Sequence, residues 1–379
     1  MRHFRKNFFI GIFVFLRSCC KKAAQTMRFG ALKYALVFII PILFVFGWQW
    51  GGALTFAPVL FAFGAIPLFE LLFAPDPRNA DAAEKEMMQK DRIYDLLLYL
   101  VPLSVYACIA LYLFALSTGA HSTLEWVGLS ASLAVVMGGL GINVAHELGH
   151  RNTAFERFLA KMLLLPTGYM HFFIEHNYGH HRNVGTYDDP ATARFGESLY
   201  AFWLRSLSTG YRSAWQLERE RMKRKKQPYW SLHNEMLRFQ LMQMAWWLLI
   251  LLLFGWQIAL VYTAAALGAV LLLETVNYIE HYGLSRNKVS DSRYERVRPV
   301  HSWNSNHYLG RLMLFELSRH SDHHYQPAKP YPLLDHHADS PQMPTGYPGM
   351  MLLSTIPPLW FYIMHKKLDG VEAGPAIAA

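Results

Sequence analysis

The chain has 379 residues, with 36 Lys and Arg against 27 Asp and Glu, so a formal charge of +9 rides on only 17% charged residues while 53% are apolar and 15% aromatic. A disordered or fibrous chain is excluded, and so is an ordinary water-soluble globule. Three cysteines (Cys19, Cys20, Cys108) cannot build a disulfide framework, a four-cysteine zinc site or a four-cysteine iron centre, so any metal must be held by nitrogen or oxygen.

Residues 1–33 read as a basic N-terminal arm. Its apolar stretch 8–16 is too short to span a membrane, and no small-residue cleavage site follows it, so an interfacial amphipathic helix is expected there. A helix needs about 20 apolar residues to cross a bilayer core of about 30 Å. No Asp, Glu, Lys or Arg occurs between Lys33 and Glu70, Asp95 and Glu125, Glu125 and Glu147, or Arg238 and Glu274. The first gap suits two crossings, 34–49 and 52–74, broken at Trp48-Gln49-Trp50-Gly51-Gly52 with tryptophans where an interfacial belt would put them. One crossing each is expected at 96–116 and 126–145. Two more, 239–254 and 258–280, are separated by Gly255-Trp256-Gln257. The outer connections 48–52, 117–125 and 255–257 contain no Lys or Arg. Both termini are therefore expected on the cytoplasmic side of the membrane. The short apolar segments 162–174, interrupted by Pro166 and Gly168, and 349–364, split by Pro357-Pro358, are expected at the inner membrane face. The fold class is thus an all-α membrane protein: six transmembrane helices in one domain over 34–365, a histidine-rich cytoplasmic cap, and a flexible tail at 366–379.

Half of the 18 histidines fall into a pattern. His146-Glu147-Leu148-Gly149-His150 closes the fourth span, and the i, i+4 spacing puts both imidazoles on one helix face. Glu175-His176-Asn177-Tyr178-Gly179-His180-His181 follows the first interfacial segment. Asn277-Tyr278-Ile279-Glu280-His281 closes the sixth span, and Arg319-His320-Ser321-Asp322-His323-His324 lies in the inner C-terminal region. A lone HExxH is a weak signal, and a lone interfacial histidine is more often hydrogen-bonded than ligating. All nine histidines, however, are expected at one depth on one side of one membrane, and that points to a shared metal site.

Nine imidazoles exceed one zinc site by more than a factor of two, since zinc takes about four ligands. Two six-coordinate metals would use them, and imidazole suits iron among others, so a pair of non-haem irons is the economical reading. Glu147, Glu175, Glu280, Asp189 and Asp322 are candidates to fix the imidazoles by accepting their N–H groups. A residue adjacent on a helix points about 100° away. Glu147 is therefore expected to serve a histidine from another cluster rather than His146.

On these residues the sequence resembles the integral-membrane alkane 1-monooxygenases, which belong with the membrane fatty-acid desaturases and hydroxylases. The matching blocks are His146-Glu147-Leu148-Gly149-His150-Arg151, the run from His171 to His181, Asp189-Pro190-Ala191-Thr192, Asn277-Tyr278-Ile279-Glu280-His281-Tyr282-Gly283-Leu284, His301-Ser302-Trp303-Asn304-Ser305-Asn306-His307, Arg319 to His324, and Pro344-Thr345-Gly346-Tyr347-Pro348-Gly349. The Asn-Tyr-x-Glu-His-Tyr-Gly block separates the alkane branch from the desaturases. One departure is Ser318, where the family commonly has Gln. The resemblance implies six spans, two irons on His146, His150, His176, His180, His181, His281, His320, His323 and His324, and terminal hydroxylation driven by rubredoxin with its reductase upstream. It also implies a position on the second span where side-chain bulk limits how deep an alkane may enter. The local match around Gly64-Ala65-Ile66-Pro67 places it at Ala62.

The expected activity is therefore insertion of one atom of O₂ into the terminal C–H bond of a medium-chain n-alkane. With no Gly-rich nucleotide loop and too few cysteines for a rubredoxin centre, electrons must come from a separate protein. The run Arg219, Arg221, Lys223, Arg224, Lys225 and Lys226 offers a basic surface for an acidic donor or for anionic lipid, with Arg182, Arg319 and Lys329 as alternatives. Rival readings are an aryl-methyl (xylene) monooxygenase or a fatty-acyl hydroxylase or desaturase of the same chemistry. A membrane zinc protease on His146, Glu147 and His150 would leave seven histidines unexplained. A transporter would hold ionisable groups near the bilayer midplane rather than at the inner span ends.

Overall fold

A computed structural model describes residues 30–119, 121–291 and 293–371. The expected interfacial helix at 8–16 and most of the expected tail lie outside the described residues. Five helical stretches among the described residues are long and apolar enough to cross a membrane: α1 (Gly30–Trp50), α2 (Gly52–Leu72), α3 (Ile93–Thr118), α4 (Thr123–Gly149) and, beyond the amphipathic α5 (Leu199–Arg224), α6 (Glu235–His281). Two short strands, Lys288–Ser290 and Arg293–Tyr294, pair antiparallel.

Where the sequence suggests two crossings between 239 and 280, the structure has one 47-residue helical element interrupted at Gly255, whose φ of 81° is open to glycine at no steric cost. The chain reverses there. Trp246 Nε1 donates to the Tyr262 hydroxyl at 3.0 Å and Trp247 Nε1 to Thr263 Oγ1 at 2.9 Å. Residues sixteen apart would stand about 24 Å apart along a straight helix. The two arms of α6 are therefore antiparallel neighbours, and the second arm carries His281 back to the end from which the first began.

α4 is the central helix, with 78% of its most apolar window buried, whereas α2 has only 17% of its window buried and turns most of its apolar surface outward. Gly138 lets α4 approach α6 closely, because a Cβ there would lie 2.8 Å from the Ala269 carbonyl oxygen. At the opposite end, the Ser122–Glu125 capping box starts α4, and Glu125 also accepts from Gly52 N–H at 2.8 Å, tying two turns together. α5 buries Phe202, Ser206, Gly210, Ala214, Glu218 and Met222, a spacing of four that makes one face.

The region after residue 300 is fastened to the first spans by buried charge. Tyr34 donates to Glu316 at 2.6 Å, Arg311 pairs with the same carboxylate at 2.6 Å, and Arg319 donates to the carbonyls of Leu334 and Arg78, each at 2.7 Å. These bonds set the start of α7 (His320–Tyr325). α8 (Tyr347–Ser354) packs on α6 nearby.

Candidate metal centre

Three helical segments and the end of α6 bring nine imidazoles together in two abutting groups. His146, His150, His176, His181 and His323 form one, His180, His281, His320 and His324 the other, and within each group one ring nitrogen per residue lies within 4.8 Å of all the rest. The i, i+4 pairs His146 and His150, at the end of α4 and its C-cap, and His320 and His324 on α7 each serve a single group, as a helix face requires. His176 and His181 are five apart, and on an α-helix they would point about 140° from one another. A π-turn over His176–His180 resolves this, with the His181 N–H donating to the His176 carbonyl. That i→i+5 turn widens the helix and aims both rings at the first group, while His180 is left facing the second.

The distances inside the groups are those of ligands around an ion. His150, His176 and His181 hold their Nε2 atoms 3.0, 3.0 and 3.1 Å apart, His323 Nε2 is 3.2 Å from His181 Nε2, and in the second group His180–His324 and His281–His320 are 3.2 and 3.1 Å. Nitrogens bound at about 2.1 Å and at right angles would be about 3.0 Å apart. The ring centroids of His181 and His324 are 4.5 Å apart, so the two groups share a wall.

Burial keeps these imidazoles in the form a metal needs. It holds His176, His181, His320, His323 and His324 well below the ordinary histidine value, hence neutral, with a lone pair free at pH 7. At His180 burial pulls downward most strongly, but the Asp189 carboxylate 2.9 Å from Nδ1, together with Glu175 and Glu274, makes the net shift upward. Neither ring nitrogen of His146 meets a hydrogen-bond partner among the described residues, although the side chain is buried. A buried polar atom without a partner costs about 1–3 kcal/mol, which a coordinated cation would offset.

Of the carboxylates suggested by sequence, two touch the groups. Asp189 accepts from His180 Nδ1 and from the Thr192 hydroxyl at 2.5 Å. Glu280 lies 3.2 Å from His320 Nε2 and accepts from the Tyr347 hydroxyl at 2.8 Å. The others point elsewhere. Glu147 pairs with Arg151 at 2.8 Å and accepts from Tyr331 N–H at 3.2 Å. Asp322 accepts from Lys329 at 2.6 Å and His337 at 2.7 Å. Glu175 meets Ser213 at 3.4 Å, and burial, with the Asp189 carboxylate nearby, pushes its pKa up. The Ser318 hydroxyl, at the departure from the family pattern, is buried with no partner among the described residues.

An apolar cavity reaches the first group. Ala62 and Phe63 of α2, the face of α4 from Val135 to His146, Leu272 and Val276 of α6, and Met351 of α8 are among its walls. Ala62 thus lines the same cavity as His146. Asn143, which sequence reasoning did not single out, and Tyr347, named there only within the Pro344 to Gly349 block, are the other polar side chains in the lining. Asn143 is legible in retrospect as the residue one turn before His146 on the ligand face.

Apolar helices of spanning length that end on two imidazole groups able to bind metal define a histidine-rich integral membrane enzyme. Comparison narrows this. The sequence pattern of the fatty acid desaturase family matches residues 122–354. An alkane 1-monooxygenase of Pseudomonas putida is 42% identical over 306 residues, 81% of this chain and 76% of its own. Another from Alcanivorax borkumensis is 40% identical over 314 residues, 83% of this chain and 77% of its own. A xylene/toluene monooxygenase hydroxylase component of Pseudomonas putida is 29% identical over 348 residues, 88% of each chain. The chain belongs to the alkane 1-monooxygenase family, within the wider fatty acid desaturase family.

Proposed function

We propose that this chain is a non-haem di-iron monooxygenase that converts the terminal methyl of medium-chain n-alkanes to 1-alkanols with O₂ and electrons from rubredoxin. The observation that carries the reading is that the first imidazole group, through His146, meets a cavity whose walls are apolar but for Asn143 and Tyr347. His146, His150, His176, His181 and His323 hold one iron, and His180, His281, His320 and His324 the other. Iron so held supplies the redox chemistry that divides O₂ between product and water, RH + O₂ + 2e⁻ + 2H⁺ → ROH + H₂O. The protein's part is placement. An alkane offers no polar handle, so affinity comes from burial at about 0.8 kcal/mol per methylene. Along α4 the wall from Val135 to His146 runs about 16 Å, and a zigzag chain with C–C bonds of about 1.5 Å would fill it with roughly twelve carbons. Asp189 fixes the ring of His180 by holding its Nδ1–H. Ala62 sets how much of the chain enters.

In this reading the chain crosses the bacterial inner membrane six times, the two arms of α6 counting separately, with the imidazole groups on the cytoplasmic side. The electron donor approaches that side. Arg319 is 3% exposed and engaged with the carbonyls of Leu334 and Arg78, and Lys329 is paired with Asp322 and Asp335. Arg182 and the exposed residues from Arg219 to Lys226 at the end of α5 remain for docking an acidic protein. A protease reading fails on Glu147, which is held by Arg151 rather than free to activate water. The test is turnover by the purified chain with rubredoxin and its reductase. Octane should give 1-octanol, at a rate that falls as salt rises. Faster oxidation of p-xylene than of octane would move the assignment to the aryl-methyl branch.

A further inference from the structure

Asn143 is 7% exposed, and neither its amide nitrogen nor its carbonyl oxygen meets a hydrogen-bond partner among the described residues. It stands three residues before His146, on the same face of α4, and both side chains line the apolar cavity. The other polar groups there have partners or roles. Tyr347 donates to Glu280, and His146 belongs to an imidazole group. A leucine would close this wall without an unpaired amide, so the amide is best explained by something polar that visits the cavity beside His146.

This inference rests on the alkane reaction proposed above. The substrate of that reaction has no group that could bond to an amide. Its product does: a primary alcohol carries one donor and two acceptor positions on the very carbon that reacted. A carboxamide offers two donors and one acceptor oxygen. The reacting carbon must sit at the imidazole end of the cavity, one helical turn from Asn143. We infer that Asn143 binds the hydroxyl of the newly formed 1-alkanol, so that the site recognises its product by a polar contact the alkane does not make. The ligand class is a primary alcohol on an unbranched apolar chain. The consequence is a site that holds product more tightly than substrate at equal membrane concentration, so that product departure weighs on turnover.

The experiment is equilibrium binding, without O₂, of labelled 1-octanol and labelled nonane to the iron-loaded full chain in lipid nanodiscs. The two probes have equal numbers of heavy atoms, and each affinity is referred to probe concentration in the lipid. In the natural protein 1-octanol should bind about tenfold tighter than nonane, a difference of about 1.4 kcal/mol. Asn143→Leu and Asn143→Ala should abolish that preference, raising the 1-octanol dissociation constant about tenfold and that of nonane less than about twofold. Equal affinities in the natural protein overturn the inference whether or not either variant folds. A preference that survives in an iron-replete variant overturns it too. If neither probe binds and octane is not hydroxylated, the alkane reading itself has failed. If octane is hydroxylated but the preference is absent, only the role of Asn143 has failed.

Discussion

Ala62 lies in the wall of the cavity that ends at His146, and replacing it by Trp offers the most direct control of which alkanes the enzyme accepts. An indole entering from α2 fills space that the far end of a long chain would occupy. If it displaces about three methylenes, a chain that formerly filled the cavity loses about 2.4 kcal/mol of burial. That corresponds to roughly 60-fold in kcat/KM, while a chain too short to reach Ala62 loses little. Competition among hexane, octane, decane and dodecane in one mixture, with products resolved by gas chromatography, reads the ratios without separate kinetic constants. Ala62→Trp should shift the preferred substrate shorter by about three carbons, and Ala62→Val should shift it less. Iron content should stay at that of the natural protein. An unchanged product distribution in a variant that retains its iron would refute the placement of Ala62 on the substrate path.

Four further outcomes follow from the geometry. Asp189→Asn should weaken iron binding by roughly 10–100-fold, because it removes the carboxylate that holds His180 Nδ1 at 2.9 Å. Asp322→Asn, whose partners are Lys329 and His337, should instead lower thermal stability with little change in iron affinity. In metal-free protein, His176, His181, His320, His323 and His324 are held well below the usual imidazole value, so below about pH 6.5 the unfolded chain binds more protons than the folded one. Stability should therefore fall as pH drops from 7 to 5. His180 and Glu175, both shifted upward, contribute with the opposite sign, two groups against these five, and a denaturation midpoint that rises on acidification would contradict the sum. Gly138→Val should lower the melting temperature by overpacking the contact with Ala269, about 1–3 kcal/mol, and a circular-dichroism melt would measure it.

Much of the architecture was legible because charge-free runs and basic flanks report directly on solvent. The apolar stretch after Arg238 and its Gly255-Trp256-Gln257 break anticipated the hairpin in α6, since only a reversal leaves both ends among polar residues. The histidine grouping was less legible. Spacing pairs His146 with His150 and His320 with His324, but α-helical geometry sets His176 and His181 apart, and nothing in the residues announces the π-turn that unites them. Adjacent histidines such as His180 and His181 then divide between groups. The carboxylates were the least legible. Sequence proximity nominated Glu147 and Asp322, yet each is turned toward a cation, Arg151 or Lys329, that folding brings alongside. Asn143 escaped notice for a related reason: its meaning lies in the lack of a partner, which no sequence displays.

The central claim is that the two imidazole groups each hold an iron. The most direct measurement is anomalous scattering at the iron absorption edge from the purified, iron-loaded protein, paired with iron counts on His150→Ala and His320→Ala. Two anomalous peaks are expected, one within the His146, His150, His176, His181 and His323 group and one within the His180, His281, His320 and His324 group. Each variant should lose the peak on its own side first. A single peak, or full occupancy at the zinc edge with none at iron, would contradict the account.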